Sequence, residues 1–481
     1  MGRAEDYCSI LDHQYNFGAY CFVDVEVAMK KDYRNKRIVV IGAGKSGLAL
    51  VRYLVSKGAT VALSDQRPAE QINGLDTLDG LTLRYDLGGH SLDLFEQADM
   101  VAVSPGVPLD IEPLKRAQSC NIPLLGEIEI ASTDITAPII GVTGTNGKST
   151  TTTLIGLAFE AWSKKAFVGG NLGSPLLNAC SQDLDIAVVE LSSFQLETID
   201  SFQPQIGLLL NLSADHLDRY PDLEGYYQAK MRLFANMNQN NFAVLNADDK
   251  DVCRLSQQIE ATKVWFSAQG RLVQGLVRLG DKLVWNWSGA DIVLPLSELK
   301  LTGEHNIENA MAALIPALLQ GCPAEIAWQA ICSFSGLEHR MQLVRQLDGV
   351  CWYNDSKGTN VGSVVKSLSG LSDGVVLIAG GKDKGGDYSP LRRLLEQKVK
   401  HLVLLGEAAK RMAAELTGAC SMSIVESMDA AVVTARDLAN EGDSVLLSPA
   451  CSSFDMFSCF EERGEYFEQL VLQLPSMQEK P

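Results

Sequence analysis

The stretch Gly141-Val-Thr-Gly-Thr-Asn-Gly-Lys-Ser-Thr150 decides the fold at the centre of this chain. Residues 139–143, which overlap its start, form an apolar run that predicts a strand. Residues 149–160, which overlap its end, predict a helix. A glycine-rich turn between a strand and a helix offers backbone N–H groups and a helix N-terminus to phosphate oxygens. Lys148 would reach the β/γ-phosphates, and the Ser149 hydroxyl would face Mg²⁺. The stretch therefore predicts an α/β domain with a nucleotide site.

The spacing of this loop departs from the general P-loop pattern at one position. That pattern asks for glycine where Val142 stands, although Gly144 and Gly147 bracket the loop. A glycine-rich turn can also be a simple tight connection between a strand and a helix. The Gly-Lys-Ser-Thr run in this context favours phosphate binding.

Two further polar groups follow apolar strands later in the chain. Glu190 ends the apolar run 186–189, and His216 follows the predicted strand 206–211. The carboxyl ends of parallel strands meet at one edge of a sheet, so we expect Glu190 beside the glycine-rich loop as a metal-binding acid. His216 would ligate Mg²⁺ or orient a carboxylate, but a lone histidine is more often structural because hard cations prefer oxygen.

A second glycine-rich turn lies near the N-terminus. The run Gly42-Ala-Gly44-Lys-Ser-Gly47 follows a predicted strand and opens a predicted helix, and Asp65 ends the next strand. This is the G-x-G-x-x-G pattern of dinucleotide sites, with an acid about twenty residues later. As an indication of NAD it is weak, because sites for other nucleotides share this geometry.

Strands alternate with helices along most of the chain, which predicts an α/β fold of three domains with mostly parallel sheets. We expect a Rossmann-like N-terminal domain at residues 29–126, a central P-loop ATPase domain at 127–335 and a Rossmann-like C-terminal domain at 336–481. Residues 1–28 share no such pattern and are expected to be an extension outside the core. Short alternating runs between residues 264 and 299 predict antiparallel hairpins.

The composition is that of a soluble globular protein. Of 481 residues, 46% are apolar and 21% are charged, which excludes a mainly disordered chain and a collagen. No apolar run is long enough to span a bilayer and no secretory signal opens the chain, so we expect a cytoplasmic protein without a membrane partner. The formal net charge of −18 argues against nucleic-acid binding. Eleven scattered cysteines without a C-x-x-C pair argue against zinc and disulfides.

Several motifs taken together resemble one family, the Mur ligases, which are ATP-dependent amide ligases of peptidoglycan synthesis. They lie in order between about residues 36 and 470. The motifs are Gly144-Thr-Asn-Gly-Lys148, Glu190-Leu-Ser-Ser-Phe-Gln195, Asp215-His216, Gly303-Glu-His-Asn306, Glu338-His-Arg340 and Asn354-Asp-Ser-Lys357. Within the family, residues 190–195 and 354–360 look like the D-glutamate-adding type. We identify no counterpart of residues 1–28.

The resemblance implies that the N-terminal domain binds the UDP part of a nucleotide-sugar substrate instead of NAD. The pyrophosphate would lie at the helix start, the uridine near an acid and an arginine, and a further loop would line the groove. The residues implied are Ser46, Gly47, Asp65, Arg67, Ser104 and Gly106. Asn171 would contact the pyrophosphate or the muramic group, although a simple turn asparagine is the alternative.

The resemblance implies that the central domain binds ATP, with two Mg²⁺ sites. The loop residues implied are Gly144, Thr145, Asn146, Gly147, Lys148, Ser149 and Thr150. Ser149 and Glu190 would hold one Mg²⁺. Asn309 and Arg340 would hold adenine and the γ-phosphate, in an order that stays open. Asp355 would contact the ribose.

The catalytic residues that the resemblance implies are Lys148, His216 and Lys230. His216 and Lys230 would hold the second Mg²⁺, and Lys230 is carbamylated in this family. On its own helix, Lys230 would ordinarily be a solvated surface lysine. A neutral amine that captures carbon dioxide becomes an anionic carbamate with oxygen ligands, and nearby cations lower a lysine's pKa and favour that neutral amine.

The resemblance implies that the C-terminal domain holds D-glutamate, since a dicarboxylate needs cationic and hydroxyl donors. The matching residues are Lys357, Thr359, Lys384, Ser453 and Phe460. Lys384 would otherwise be a solvated lysine in a turn. The implied reaction adds D-glutamate to UDP-N-acetylmuramoyl-L-alanine through an acyl phosphate, with ADP and phosphate as products. We expect a monomer whose partners are these small molecules.

Three rival interpretations stay open. Folylpolyglutamate synthase shares this kind of loop but lacks a nucleotide-binding domain before it, whereas here more than a hundred residues precede Gly144. An NAD-dependent dehydrogenase would rest on residues 42–47 alone and leave residues 144–150 unexplained. A regulatory P-loop switch would bind nucleotide without making an amide.

Overall fold

Three successive sheets build the molecule. The structure is a computed structural model that describes residues 32–476 apart from residues 218, 272 and 302. The expected extension, residues 1–28, lies outside the described residues. Within them the chain forms sheets of five, nine and six strands. The predicted α/β fold of three domains with mostly parallel sheets is confirmed. The predicted domain boundaries stay predictions.

The first sheet is parallel throughout its described strands. Its elements are β1 (Arg37–Ile41), α1 (Lys45–Ser56), β2 (Thr60–Asp65), β3 (Arg84–Leu87), α2 (Leu92–Glu96), β4 (Met100–Val103), α3 (Glu112–Ser119), β5 (Leu124–Gly126) and α4 (Glu127–Ser132). The strand order is β3-β2-β1-β4-β5. β1 lies in the centre because its run Ile-Val-Val-Ile is buried, as in sheets that helices cover on both faces.

The second sheet carries the glycine-rich loop of residues 144–150. Its strands are β6 (Ile139–Thr143), β7 (Ala166–Gly170), β8 (Ile186–Glu190), β9 (Ile206–Leu209), β10 (Phe242–Asn246), β11 (Thr262–Ser267), β12 (Gly275–Leu279), β13 (Lys282–Trp285) and β14 (Ile292–Pro295). Its helices are α5 (Lys148–Ala161), α6 (Ser193–Leu196), α7 (Leu223–Met231), α8 (Lys250–Leu255), α9 (Glu304–Leu319) and α10 (Ala324–Ser333). A buried apolar cluster joins α5, α9 and α10 to one face of this sheet.

The order of the second sheet is β14-β13-β12-β11-β10-β9-β6-β8-β7. β6 lies between β8 and β9 and is parallel to both, so the loops after these three strands meet at one edge. The hairpin prediction for residues 264–299 is correct for β12, β13 and β14, which pair antiparallel. It is wrong for β11, which pairs parallel with both β10 and β12. Between β11 and β12 the chain makes a crossover, and an alternating pattern alone cannot distinguish this from a hairpin.

The third sheet is parallel except at one edge. Its elements are β15 (Gln342–Leu347), β16 (Val350–Asn354), α11 (Val361–Ser369), β17 (Val375–Gly380), α12 (Arg392–Lys398), β18 (Val399–Leu405), α13 (Ala409–Glu415), β19 (Ser421–Ile424), α14 (Met428–Leu438), β20 (Ser444–Leu447) and α15 (Phe460–Gln473). The order is β15-β16-β20-β17-β18-β19, and β15 pairs antiparallel with β16. The loops after β16, β17 and β20 therefore meet at one edge.

Helix α4 connects the first sheet to the second through two buried acids that the sequence analysis did not single out. The Glu129 carboxylate accepts hydrogen bonds from the N–H groups of Asp200 and Phe202. The Glu127 carboxylate accepts one from Leu177 N, and burial raises the pKa of Glu127 to about 7 against these backbone hydrogen bonds. Among the described residues, no helix has the length and apolar character needed to cross a membrane.

Candidate active site

The loop between β6 and α5 is shaped by two glycines with positive φ. Gly144 has φ +145° and Gly147 has φ +87°. A Cβ on Gly147 would lie 2.2 Å from Asn309 Oδ1, so glycine is needed there both for the backbone conformation and for the close approach of α9. Thr145 and Asn146 are buried in the loop. The two glycines thus allow a tight turn directly before α5.

Two lysines converge on this loop from different helices. Lys148 begins α5 and donates to the carbonyl oxygens of Gly144 and Thr145, both at 2.8 Å. Lys230, on α7, donates to the same Gly144 oxygen at 2.9 Å. Burial lowers the pKa of Lys148, although Glu190 and Asp215 oppose the shift. The two lysine side chains therefore share one carbonyl oxygen of the loop.

Lys230 is not the solvated surface lysine that its helix alone would suggest. Its side chain is 1% exposed, and its Nζ lies 4.6 Å from the centroid of the Tyr226 ring. Burial, followed by repulsion from Lys148, lowers the pKa of Lys230 well below its ordinary value. A neutral amine is therefore accessible at the glycine-rich loop.

Glu190 ends β8 beside the loop, as the strand order requires. It is 2% exposed, and its Oε1 accepts a hydrogen bond of 2.6 Å from Asn171 Nδ2. Its Oε2 is buried and has no hydrogen-bond partner among the described residues. The negative charge of Glu190 raises the pKa of Lys148 and of Lys230 against the effect of burial. Asn171 therefore contacts the Glu190 carboxylate at the edge of the second sheet.

His216 follows β9 and faces the same edge. Its backbone has φ +56°, which is uncommon outside glycine and asparagine, and its N–H donates to Asp215 Oδ1 at 2.9 Å. Burial lowers the pKa of His216 to about 4, and the nearby lysines add to this effect against Asp215. The imidazole is therefore neutral at pH 7, the form in which a histidine binds metal.

The part of the chain that forms the third sheet and its helices, called the third unit below, contacts this site directly. Asn360 Nδ2 donates to Asn146 Oδ1 at 3.2 Å and to Asp215 Oδ2 at 3.0 Å. Ser363 Oγ donates to Asn146 Oδ1 at 2.8 Å, and Lys384 Nζ lies 3.4 Å from Asp215 Oδ1. Burial raises the pKa of Asp215, but Lys384, His216 and Lys148 lower it more, so the carboxylate is ionised. These contacts close the cleft between the second and third sheets.

A small cavity lies in this cleft. Five residues expected to bind ATP line it: Asn146, Gly147, Asn309, Arg340 and Asp355. Burial lowers the pKa of Arg340 against Asp355 and Glu190, and its Nε has no partner among the described residues. The Asp355 Oδ2 already accepts hydrogen bonds from Ser367 and Ser448.

The residues expected to hold an amino acid lie at the edge of the third sheet where the loops after β16, β17 and β20 meet. Lys357 Nζ lies 5.0 Å from the centroid of the Phe460 ring, and burial lowers the pKa of Lys357 to about 8. Ser453 is 2% exposed, and Thr359 follows Lys357 by two residues. Lys384 pairs with Asp215 across the cleft in this structure, so its ammonium already has an anionic partner.

The first sheet holds the second glycine-rich turn and the residues expected near UDP. Asp65 accepts hydrogen bonds from Ala43 N at 2.7 Å and from the Arg67 guanidinium at 2.8 and 2.9 Å. Ser104 Oγ donates to Gly42 O at 2.7 Å. A Cβ on Gly47 would lie 1.8 Å from Gly42 O, so helix α1 needs glycine there.

Arg219 joins the first sheet to the second and was missed by the sequence analysis. Its guanidinium donates to Gly106 O and Val107 O, and it pairs with Glu197 at 3.1 Å. The loop with Ser104 and Gly106 is therefore fixed against the central unit. His216 and Arg219 both pack against the Phe194 ring, which places this contact between the sheets beside His216.

The donor set fits a bound nucleotide and Mg²⁺ better than a metal held by the protein alone. Among the described residues, no group of three or more His, Cys, Asp or Glu side chains could hold a metal ion. Glu190 Oε2 and Thr150 Oγ1 are buried without a partner in the described chain. These orphaned oxygens, the buried lysines and the glycine-rich cradle suit a metal that takes its remaining ligands from phosphate oxygens.

Three further residues of the cleft are not among the predicted site residues. Asn360 and Ser363, on the third unit, bond the glycine-rich loop, and Lys366 lines the cavity. Asn360 ends a quoted motif, so its position carried a signal. Ser363 and Lys366 carried none, because an exposed-looking helix face gives no sign that it meets another sheet.

Three family models match successive parts of the chain. The "Mur ligase MurD-like, N-terminal domain" matches residues 36–126, the "Mur ligase middle domain" residues 142–317, and the "Mur ligase, glutamate ligase domain" residues 339–451. The matches follow the order of the three sheets. They confirm the resemblance that the motifs indicated.

Curated relatives match over nearly their whole length. The UDP-N-acetylmuramoylalanine--D-glutamate ligase of Syntrophotalea carbinolica is 51% identical over 441 residues, which cover 92% of this chain and 98% of the relative. The enzyme of the same name from Geotalea uraniireducens is 46% identical over 443 residues, with 92% and 98% covered.

Solved structures share the fold at low identity. UDP-N-acetylmuramate-alanine ligase MurC from Thermotoga maritima gives a TM-score of 0.59 at 19% identity and covers 91% of this chain and 99% of its own. A pseudomurein peptide ligase type C from Methanothermus fervidus gives a TM-score of 0.58 at 18% identity, with 92% and 100% covered. At these identities the likeness shows the fold alone.

Proposed function

The chain belongs to the Mur ligase family, and we propose that it joins D-glutamate to UDP-N-acetylmuramoyl-L-alanine at the expense of ATP. The products would be the D-glutamyl amide, ADP and phosphate, in the synthesis of peptidoglycan precursors. The observation that carries the proposal is the convergence of Lys148, Lys230, Glu190 and His216 on one glycine-rich loop that the third unit closes. An NAD dehydrogenase would have no use for such a site.

ATP and Mg²⁺ would bind at this loop. The backbone of residues 144–150 and the Lys148 ammonium would take the phosphates, with Ser149 and Glu190 on one Mg²⁺. Arg340 and Asn309 would contact the γ-phosphate and the adenine, in an order that stays open, and Asp355 would face the ribose. When bound, Mg²⁺ offsets the charge of the transferring phosphoryl group.

Carbamylated Lys230 would help His216 to hold a second Mg²⁺. The support is threefold: Lys230 is buried, its pKa lies far below the ordinary value, and its Nζ lies within hydrogen-bond distance of the loop. Within residues 32–476 as described, the side chains alone would leave a second metal short of oxygen ligands. A carbamate would supply two oxygens as ligands for that metal.

The first sheet would bind the UDP moiety. Ser46 and Gly47 at the start of α1 would take the pyrophosphate, with Asp65 and Arg67 near the uridine. Ser104 and Gly106 would line the groove, and Arg219 would transmit their position to the central unit. Asn171 would extend this contact to the muramic part, since it lies at Glu190.

The amino acid would bind on the third unit. Lys357, Thr359, Lys384, Ser453 and Phe460 would form its pocket. The carboxylate of the L-alanyl substrate would first take up a phosphoryl group, which makes an acyl phosphate. The neutral amine of D-glutamate would then attack the acyl carbon and expel phosphate. Closure of the third unit over the loop would exclude water, which otherwise hydrolyses the acyl phosphate.

The decisive experiment measures phosphate release with each substrate withheld in turn. We expect ATP turnover that depends on both UDP-N-acetylmuramoyl-L-alanine and D-glutamate. Turnover without D-glutamate would indicate a nucleotide switch, and NAD binding in a direct titration would favour the dehydrogenase. We also propose a monomeric, cytoplasmic enzyme with small-molecule partners, which sedimentation and cell fractionation test.

A further inference from the structure

A buried arginine lies behind the expected amino-acid pocket. Arg463 is on the first turns of α15 and is 1% exposed. Burial lowers its pKa to about 10, and the group is therefore charged at neutral pH. A charged group held this deeply needs several hydrogen bonds to offset its lost hydration. The arrangement of those bonds indicates what the residue does.

The Arg463 guanidinium donates five hydrogen bonds to neutral oxygens. Nε donates to Ser356 Oγ at 3.0 Å, and Nη2 donates to Ser356 O at 2.9 Å. Nη1 donates to Cys451 O at 3.3 Å and Ser452 O at 3.2 Å, and Nη2 also reaches Cys451 O at 3.3 Å. The planar fork thus joins two loops that are about a hundred residues apart in the chain.

These two loops carry residues of the expected pocket. Ser356 lies beside Lys357 in the loop after β16, and Ser452 lies beside Ser453 in the loop after β20. The Ser356 hydroxyl also donates to Phe460 O at 2.8 Å, which fixes the start of α15. Ser452 O accepts from Lys382 N at 2.9 Å, which ties in the loop of Lys384. Every expected pocket residue therefore lies on a segment that Arg463 or its direct partners hold.

We propose that Arg463 is a positioning residue that holds the loops of Lys357, Ser453 and Lys384 in the geometry that binds the incoming dicarboxylate amino acid. The inference rests on the proposed function. It adds a residue that would touch no substrate and would act through Ser356 and Ser452. Lysine cannot replace it, because a single ammonium cannot span both loops as a planar fork does.

The test compares Arg463→Lys with a control arginine on β15 that contacts the same helix. Arg345 donates to Leu472 O and Leu474 O, both at 2.8 Å, so it braces the far end of α15. We expect Arg463→Lys to raise the KM for D-glutamate roughly 10- to 100-fold, since small displacements of binding groups have effects of that order. The KM values for ATP and the UDP substrate should change less than about 2-fold. Arg345→Lys should lower the melting temperature without changing any KM.

Each outcome decides the inference. Unchanged KM values in Arg463→Lys would overturn it, and so would an equal rise in all three, which indicates a merely structural role. If Arg463→Lys does not fold, Ser356→Ala decides by the same criterion, with a roughly 3- to 10-fold rise in the KM for D-glutamate expected. Lys384→Ala is the reference: if it raises that KM and the Arg463 variant does not, the inference fails while the proposed function stands. If the wild-type enzyme shows no D-glutamate-dependent turnover, the proposed function fails and the inference with it.

Discussion

The two glycine-rich turns of this molecule share a local sequence but not an environment. Gly44-Lys45-Ser46 opens α1 and Gly147-Lys148-Ser149 opens α5, each after a buried parallel strand. Lys45 is exposed, whereas Lys148 bonds the carbonyl oxygens of its own loop beside a second, buried lysine. Gly44 is extended with φ −85°, but Gly147 is left-handed with φ +87°.

The difference shows that a short motif sets the backbone and that its surroundings set the chemistry. The first turn is braced by the Asp65 carboxylate, which is paired with Arg67. The second turn is contacted by Lys148 and Lys230 and lies near Glu190 and His216, a set of groups that suits a phosphate together with a metal ion. We therefore expect the first turn to bind a pyrophosphate without reacting and the second to stabilise a transferring phosphoryl group.

The largest expected effect is that of Lys230→Ala, which has no equivalent at the first turn. Turnover should fall at least about 1,000-fold, because a group that stabilises the reacting charges is lost. Formate or acetate should restore part of the activity by filling the vacated oxygen positions. Lys250→Ala, at an exposed position on α8, should leave turnover unchanged. Full activity in Lys230→Ala would show that the buried amine is only structural; loss without rescue would leave the carbamate unsupported.

The next comparison is the matched pair Lys148→Met and Lys45→Met. The first should lower kcat about 100- to 1,000-fold, since it removes a positive charge aimed at the phosphate site. The second should change kcat less than about 3-fold, because Lys45 is exposed. Steady-state phosphate release measures both. Similar losses in the two variants would contradict the distinction between a binding turn and a reacting turn.

A smaller effect is expected from Gly147→Ala against Gly44→Ala, measured as the free energy of unfolding in urea. Alanine at Gly147 meets a left-handed backbone and Asn309 Oδ1 at 2.2 Å, so a loss of about 1–3 kcal/mol is expected. A Cβ at Gly44 meets no atom within 4 Å, so that variant should match or slightly exceed the wild type. Equal stability of the two variants would contradict the strain argument.

The smallest effect concerns the pH dependence of the stabilisation that the Asp65 carboxylate gives to the first turn. Burial raises the pKa of Asp65, but its hydrogen bonds to Arg67 and Ala43 lower it more, to about 2 from an ordinary 3.8. The folded-state pKa is the lower one, so the stabilisation is present above about pH 4 and is lost as the pH falls toward 2. Asp65→Asn should therefore lower the free energy of unfolding by about 1–2 kcal/mol at pH 7.

That deficit of Asp65→Asn should shrink between pH 5 and pH 3 in urea titrations. The control is Asp76→Asn, at an exposed position of the same unit, which should show no such pH dependence. A deficit that stays constant down to pH 3 would mean that Asp65 stabilises the turn by shape and not by its charge.

The sequence predicted several interior strands with their bounds, whereas it missed five strands at sheet edges. Buried apolar runs predict strands at residues 37–41, 139–143, 350–354 and 444–447, and β1, β6, β16 and β20 have these bounds. The missed strands include β3, β5, β7, β15 and β19, and each lies at a sheet edge. Edge strands bury less apolar surface, so the pattern of apolar residues along their sequences is weak. β3 and β19 illustrate this reason, since neither strand contains a buried residue.

The candidate site residues were predictable to the extent that each belongs to a motif at a strand end. Glu190 and His216 lie where the order of parallel strands requires, next to the glycine-rich loop. Their assigned roles came from the family resemblance and stay predictions. Arg219, Ser363 and Arg463 could not be found, since each acts on backbone or side-chain atoms of a distant segment. Such contacts leave no periodic trace in the sequence.

By itself the sequence determined the α/β class, the two glycine-rich turns and the strand ends that carry polar groups, because these depend on neighbouring residues and on periods of two or 3.6. Only the tertiary structure decided which lysine side chains are buried away from solvent. Lys230 meets Gly144 O across 86 positions of the chain, and Lys384 meets Asp215 across 169. Burial and long-range charge set the pKa of a group, and both arise only when distant segments pack together.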